Sequence, residues 1–152
     1  IAVALWSESR LLFSWQAVSV LLVQIVWCLD LATGGHLGAA TYMYSSAIPL
    51  GIRLLSLFHL ACPPLLLWAV RRLGYDRRAI WLQAATAAAV LPACYLVTPV
   101  ERNINWVFGP FHPQHALPPL VYCLICTVAY PVLLWWPAHL FLAWWGKRPI
   151  SS

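Results

Sequence analysis

Charged residues are scarce in this chain. Only 9% of its 152 residues are charged, and just four are acidic, whereas soluble domains carry roughly 25% charged residues. Hydrophobic residues make up 62% of the sequence, and the mean hydropathy is +0.77. This composition excludes an ordinary soluble domain and indicates an integral membrane protein.

Sequence signatures of common enzymes are also missing. The chain has no GxSxG, HExxH, P-loop or GxGxxG pattern, so no residue can be assigned a catalytic role. No internal repeat, low-complexity segment or domain boundary is visible. No segment is typical of a cleavable signal peptide, and because the sequence begins at Ile1 we expect upstream residues to precede it or to have been processed.

The cysteines all fall within apolar segments rather than in loops. We therefore expect buried free thiols and no disulfide framework. Cys123 and Cys126 have CxxC spacing, which leaves a redox pair open, but no charged neighbour is present to lower a thiol pKa. The complete set is Cys28, Cys62, Cys94, Cys123 and Cys126.

Four apolar segments have the length that a helix needs to cross a bilayer, about 20 residues. They cover residues 11–32, 48–70, 79–97 and 118–145. None shows the alternation that is typical of a barrel strand. The sequence therefore predicts an all-α fold, an integral membrane bundle of four transmembrane helices forming one domain over residues 1–152. The fourth segment is longer than a bilayer requires, so it must tilt, kink or protrude.

The distribution of basic residues predicts the orientation. Seven of the nine Lys and Arg residues lie in three clusters beside span ends. The positive-inside rule then places both termini and the loop at 71–78 in the cytoplasm. The loops at 33–47 and 98–117 face the outside, which is the periplasm if the chain lies in a bacterial inner membrane. Because the basic residues are explained in this way, we expect no nucleic-acid partner. The clustered residues are Arg10, Arg71, Arg72, Arg77, Arg78, Lys147 and Arg148.

The outer loop between the third and fourth spans contains the stretch "ERNINWVFGPFHPQH", residues 101–115. Its prolines and glycine exclude one long helix and favour a stiff, structured loop. One interpretation is a metal site formed by Glu101, His112 and His115, with His36 as a further ligand. The simpler interpretation is a structural loop that caps the bundle or docks a partner. Its docking residues would be Arg102, Asn103, Asn105, Trp106 and Phe108.

His59 is the histidine that we expect deepest in the membrane, near the midplane. An ionisable group at that depth is a functional candidate, and its imidazole could be an axial ligand of a haem or another pigment. A haem shared with His139 is disfavoured, because the two lie about half a membrane apart along their helices. The structural alternative is a neutral His59 bonded to Ser56 or to carbonyls freed by Pro63.

Asp30 and Arg53 both fall just below the outer surface. An ion pair between them would offset the cost of placing each charge in the membrane. Together with His59 they could also form a proton or carrier path, but without an inverted repeat this is the weakest hypothesis.

Several stretches give the chain a resemblance to a known family. It resembles an uncharacterised family of small bacterial polytopic membrane proteins, for which "NINWVFG" is the most distinctive segment. The family pattern P-T-H-L is replaced here by Pro137-Ala138-His139-Leu140, so the histidine matches and the threonine does not. The resemblance implies the fold and the bacterial inner membrane and carries no activity. The matching stretches are "TYMYSSAIPLGIRLLSLFHL", "RRLGYDRRA", "ERNINWVFGP" and "WWPAHL".

Two functions are compatible with these observations. The first is a non-catalytic membrane subunit that packs against a larger complex, for which we favour a respiratory or photosynthetic electron-transfer assembly. A pigment, haem or quinone would then lie at the interface with other integral subunits, and lipids would cover the remaining faces. The alternative is an enzyme that acts on a lipid or quinone headgroup at the outer face, using Glu101, His112 and His115.

Overall fold

The computed structural model describes residues 2–110 and 112–147, without the side chains of Ala2 and Leu5, so Arg148 of the third basic cluster lies outside the described residues. Within that part of the chain every regular element is helical. Four helices are long and apolar enough to cross a membrane, and they match the predicted spans to within three residues at each end. We call them spans 1 to 4: Arg10–Ala32, Leu50–Leu73, Ala79–Val97 and Pro119–Trp145.

Span 1 is a single helix and span 2 is interrupted. The elements are α1 (Ala2–Ser7), α2 (Arg10–Ala32), α3 (Leu50–Leu55), α4 (Phe58–Leu73), α5 (Ala79–Val97), α6 (Pro119–Tyr130), a π-helical segment (Pro131–Trp135) and α7 (Trp136–Trp145). Single 3₁₀ turns cover Thr41–Tyr44, Val100–Arg102 and Ile104–Trp106.

The described residues divide into two compact units. One comprises the chain up to Ala79 together with the described residues from Ala138 onward, and the other comprises Ile80–Pro137. In the first unit α2 packs against α4. Ala17, Leu21 and Leu66 are fully buried there, so the two helices present small and branched apolar side chains to each other.

The interruption of span 2 lies one turn before two prolines. Between α3 and α4 the backbone forms i→i+3 hydrogen bonds, including one from the amide of His59 to the carbonyl of Ser56 (3.1 Å). Pro63 has no N–H, so it cannot donate to the carbonyl of His59. The thiol of Cys28 on α2 lies 3.5 Å from that oxygen and supplies the missing donor.

Span 4 contains the irregularity that its length predicts. The amide of Trp136 donates to the carbonyl of Pro131, which is the i→i+5 pattern of a π-helix. Prolines at 131 and 137 bound this segment, and each removes one donor from the helical ladder. The long span therefore changes its winding in the middle, where two backbone donors are absent.

Candidate functional site

The loop between spans 3 and 4 folds around one asparagine. Asn103 is only 7% exposed, although a short polar side chain in a loop is ordinarily solvated. Its Oδ1 accepts a hydrogen bond from the amide of Phe108 (2.9 Å), and its Nδ2 donates to the carbonyl of Gly109 (2.7 Å). Both ends of the amide are thus used to close the chain on itself.

Three residues of this loop lie in the left-handed backbone region. The φ angles are +40° at Asn103, +54° at Asn105 and +57° at Trp106. Asparagine tolerates this region better than other side chains, but tryptophan does not. Such residues persist where the surrounding structure holds them, and they concentrate at functional sites.

A glycine allows the second half of the loop to fold back. A Cβ at Gly109 would lie 2.1 Å from the carbonyl oxygen of His112 and 2.5 Å from the amide of Gln114. The amide of Gln114 also donates to the carbonyl of Phe108 (2.9 Å). No side chain fits at position 109, so the loop returns on itself only with glycine there.

Exposure divides the predicted docking residues into two groups. Asn103 and Phe108 are buried, and the Phe108 ring packs 5.4 Å from the ring of Tyr95, so both hold the loop together rather than face a partner. Arg102 and Asn105 are exposed, and Trp106 is half-buried. Ile104, which the sequence analysis did not single out, is 43% exposed.

In the part of the chain that the structure describes, the residues suggested as metal ligands are not gathered into one group. Within residues 2–110 and 112–147, no three His, Cys, Asp or Glu side chains lie close enough together to hold a metal ion. Glu101, His112, His115 and His36 are all exposed. The tight turn at Gly109 approaches the backbone of His112 and Gln114.

His59 has a different partner from those we predicted. Its Nδ1 is within hydrogen-bonding distance of Oε1 of Gln24 on α2, and the ring lies against the rings of Trp27 (4.4 Å between centroids) and Phe58 (4.1 Å). The expected bond from its side chain to Ser56 is absent. Because an amide oxygen only accepts hydrogen bonds, Nδ1 carries the proton and Nε2 keeps a lone pair. That is the form in which an imidazole binds a metal.

A second polar atom near His59 has no partner. Trp27 is 6% exposed, and its indole Nε1 has no hydrogen-bond acceptor among the described residues. Buried donors in folded proteins are ordinarily satisfied. The cluster of Gln24, Trp27 and His59 therefore combines an unpaired donor with a histidine nitrogen whose lone pair is unused.

The predicted ion pair between Asp30 and Arg53 is not formed, because each side chain binds loop backbone. The two oxygens of the fully buried Asp30 accept from the amides of Leu37 and Ala40, both at 2.7 Å. Arg53 donates from Nη1 to the carbonyl of Met43 (3.2 Å). The loop at 33–47 thus supplies two donors to Asp30 and one acceptor to Arg53, whose buried Nε has no hydrogen-bond partner among the described residues.

The five cysteines, which we predicted to be buried free thiols, form no disulfide in the structure. All five are free; Cys62, Cys123 and Cys126 are buried, whereas Cys28 and Cys94 are only partly buried, contrary to the prediction. The thiol of Cys123 points to the carbonyl of Leu91 at 3.8 Å, within the unit that contains both residues. These contacts are those of packed thiols.

Some contacts could not be found by reading the sequence. Gln24 and His59 are 35 residues apart, and Tyr75 and His139, whose Oη and Nδ1 lie 2.8 Å apart, are separated by 64. The only sequence signal was that each is a polar residue in or beside an apolar segment, where a partner is expected.

No protein-family model, curated protein or solved structure matches this chain. The observations that bear on function are the geometry of the loop between spans 3 and 4 and that of the cluster of Gln24, Trp27 and His59.

Proposed function

We propose that this chain is a non-catalytic integral membrane subunit that docks onto a larger membrane complex through the tip of the loop between spans 3 and 4, residues 101–106. The main observation that supports this proposal is the left-handed backbone of Asn103, Asn105 and Trp106. The buried side chain of Asn103 holds the loop in this conformation through two hydrogen bonds. Strained backbone conformations that the surrounding structure maintains are concentrated at functional sites. We therefore infer that a partner recognises the shape of this tip.

The exposed side chains of this tip suit a protein partner. Ile104 is apolar and exposed, and the exposed Glu101 and Arg102 precede it. An apolar centre with a charged rim is the usual arrangement of a protein interface. Because the backbone is already fixed, binding would order few additional groups.

We further propose that the tip faces the periplasm of a bacterial inner membrane, with the loop at 71–78 in the cytoplasm. The basic clusters at 10, at 71–78 and at 147–148 support this orientation. Single substitutions Glu101→Cys and Arg77→Cys test it in intact cells with a membrane-impermeant maleimide. We expect labelling of the first and protection of the second; the reverse pattern would contradict the orientation.

An electron-transfer complex is the class of partner that we favour. Its support is His59, whose Nδ1 is bonded to Gln24 and whose Nε2 lone pair could serve as an axial ligand for a haem or pigment held with a neighbouring subunit. Purified assemblies should lose visible absorbance with His59→Leu and keep it with the control His36→Leu, which changes an exposed histidine. Unchanged absorbance in the His59 variant would remove this class of partner.

Docking itself is tested on mildly solubilised native membranes by size-exclusion chromatography. The wild-type chain should elute at a mass well above that of a 17.1 kDa monomer in detergent. Ile104→Glu places a charge at the centre of the tip and should release the free chain. Leu117→Glu, also an exposed apolar residue of the loop but outside the tip, should remain in the complex. Elution of the wild type as a free monomer would contradict the proposal.

A further inference from the structure

A basic cavity lies at the ends of spans 1, 2 and 4. It has a volume of about 280 Å³. It is formed by the first residue of α2, the turn that follows α4 and the end of α7, all within one compact unit. The lining residues are Arg10, Gly74, Tyr75, Arg77, Ala143, Gly146 and Lys147.

Two glycines shape this cavity. Gly74 has a φ of +84°, which turns the chain out of α4, and the side chain of Arg10 lies beside it. A Cβ on Gly146 would lie 2.8 Å from Cβ of Tyr75 and 2.9 Å from its amide nitrogen. The end of α7 thus reaches Tyr75 only because residue 146 has no side chain.

The cavity wall is fixed by hydrogen bonds at both of its helical edges. Arg10 donates from Nη2 to the carbonyl of Tyr75 (2.7 Å). The Tyr75 hydroxyl lies 2.8 Å from Nδ1 of His139 on α7. Burial raises the pKa of the Tyr75 hydroxyl, so it stays neutral and adds no negative charge to the wall.

Among the described residues that line the cavity, three are cations and none is a carboxylate. The nearby Asp76 carboxylate is bound to Arg78, with 2.8 Å between Oδ2 and Nη2, and this bond lowers the pKa of Asp76 to about 2. Its charge is therefore compensated by Arg78. The side chains of Arg77 and Lys147 make no hydrogen bond or ion pair with any described residue.

We propose that this cavity binds a phosphate group, and that the phosphate is the headgroup of an anionic phospholipid. Arginine and lysine side chains bind phosphate oxygens through short, charge-assisted hydrogen bonds. Cationic pockets between membrane helices are suited to acidic lipid headgroups because the lipid phosphates lie at the depth of the helix ends. The volume equals the share of about nine water molecules, which leaves room for a headgroup as well as its phosphate.

The experiment uses the full chain in nanodiscs of phosphatidylcholine containing a small fraction of phosphatidylglycerol. Native mass spectrometry then counts the phosphatidylglycerol molecules that remain bound after release. The test variant is Arg77→Gln with Lys147→Gln, which removes the two unpaired cations. The control is Arg71→Gln with Arg72→Gln, which removes the same charge from two positions that do not line the cavity.

We expect one tightly bound phosphatidylglycerol per wild-type chain and per control chain. A surface cation contributes about fivefold to the binding of an acidic lipid, so the test variant, which lacks two cations, should bind roughly 25-fold more weakly. Equal thermal unfolding midpoints of all three proteins in pure phosphatidylcholine nanodiscs would show that the loss is not a folding defect.

A second arm identifies the source of the phosphate. Inorganic phosphate is titrated into chains in pure phosphatidylcholine nanodiscs while the unfolding midpoint is followed. No shift supports the lipid headgroup. A rise in the midpoint that is absent from the test variant, with no retained phosphatidylglycerol, would instead assign the cavity to a soluble phosphate and overturn the lipid source. Equal lipid retention by the test variant and the control would overturn the site itself.

Discussion

Oε1 of Gln24 and Nδ1 of His59 form a hydrogen bond between spans 1 and 2. The bond joins two polar side chains of the cluster of Gln24, Trp27 and His59, and it sets which imidazole nitrogen carries the proton. It therefore has both a structural and a chemical consequence, which can be separated by mutation.

Gln24→Leu should weaken the packing of spans 1 and 2. The Nδ1 proton of His59 would lose its acceptor inside an apolar environment, and interhelical hydrogen bonds in membranes contribute about 1 kcal/mol. We expect a loss of that size in the free energy of unfolding, measured by denaturant titration in detergent. Gln16 lies on the same helix, and its side chain has no hydrogen-bond partner among the described residues. The control Gln16→Leu should therefore change the free energy of unfolding far less.

Two glycines should respond to alanine with opposite signs. At Gly146 the new Cβ would meet Tyr75 at 2.8 Å, so the end of α7 must shift, and overpacking of this kind destabilises by about 1–3 kcal/mol. At Gly51, in α3, nothing lies within 4 Å, and replacing a helical glycine by alanine stabilises by about 0.5–1 kcal/mol. The same denaturant titration measures both variants. Equal effects would contradict the close approach of residue 146 to Tyr75.

The existence and length of the four spans could be predicted because each depends on composition along the chain, and the bounds of Ala79–Val97 were predicted to the residue. The rotation of each helix could not be predicted in the same way. A span that is apolar on every side, such as Ala79–Val97, has no periodic signal to indicate which face is buried. The partner of His59 depends on such rotations, and that is why Gln24 was not identified as the partner.

Asp30→Asn should loosen the loop that follows span 1. The carboxylate accepts from the amides of Leu37 and Ala40 with separate oxygens, and an asparagine keeps only one of these acceptors. We expect hydrogen exchange at those two amides to accelerate by about tenfold or more. Glu101→Gln changes an exposed carboxylate in the other loop and serves as the control. Hydrogen exchange at the amides of Leu37 and Ala40 should be unchanged in this variant.

The ion pair expected between Asp30 and Arg53 shows a second limit of the sequence. The partners of both residues are backbone groups of a loop whose path no sequence pattern specifies. Gly35 is part of that path, because a Cβ there would lie 2.8 Å from the Cα of Thr41. Loop closure of this kind is set by local backbone geometry and not by hydropathy.

Asp76 should make stability depend on pH in the acid range. Its hydrogen bonds from Arg78 lower the pKa from 3.8 to about 2, so the stabilisation is complete above pH 3.8 and is lost as the pH falls toward 2. We expect the thermal unfolding midpoint to fall within that window. The fall should be smaller in Asp76→Asn, which has no carboxylate to protonate.

A matched variant separates this effect from general acid sensitivity. Glu8→Gln removes an exposed carboxylate that lies 3.9 Å from Arg72, and it should retain the wild-type fall between pH 3.8 and 2. If Asp76→Asn showed the same pH dependence as this control, the role assigned to the pair of Asp76 and Arg78 would be wrong.

The central claim is that the rigid tip between spans 3 and 4 docks a membrane partner. Site-specific photo-crosslinking from position 104 is its most direct test. A photoreactive amino acid replaces Ile104 at the exposed tip, and a second variant carries it at Leu117 as the control. After irradiation of native membranes, we predict a discrete adduct between the position 104 variant and one other membrane protein, with no such adduct from position 117. Crosslinks from position 104 to lipid alone, or the same adducts from both positions, would contradict the docking role of the loop.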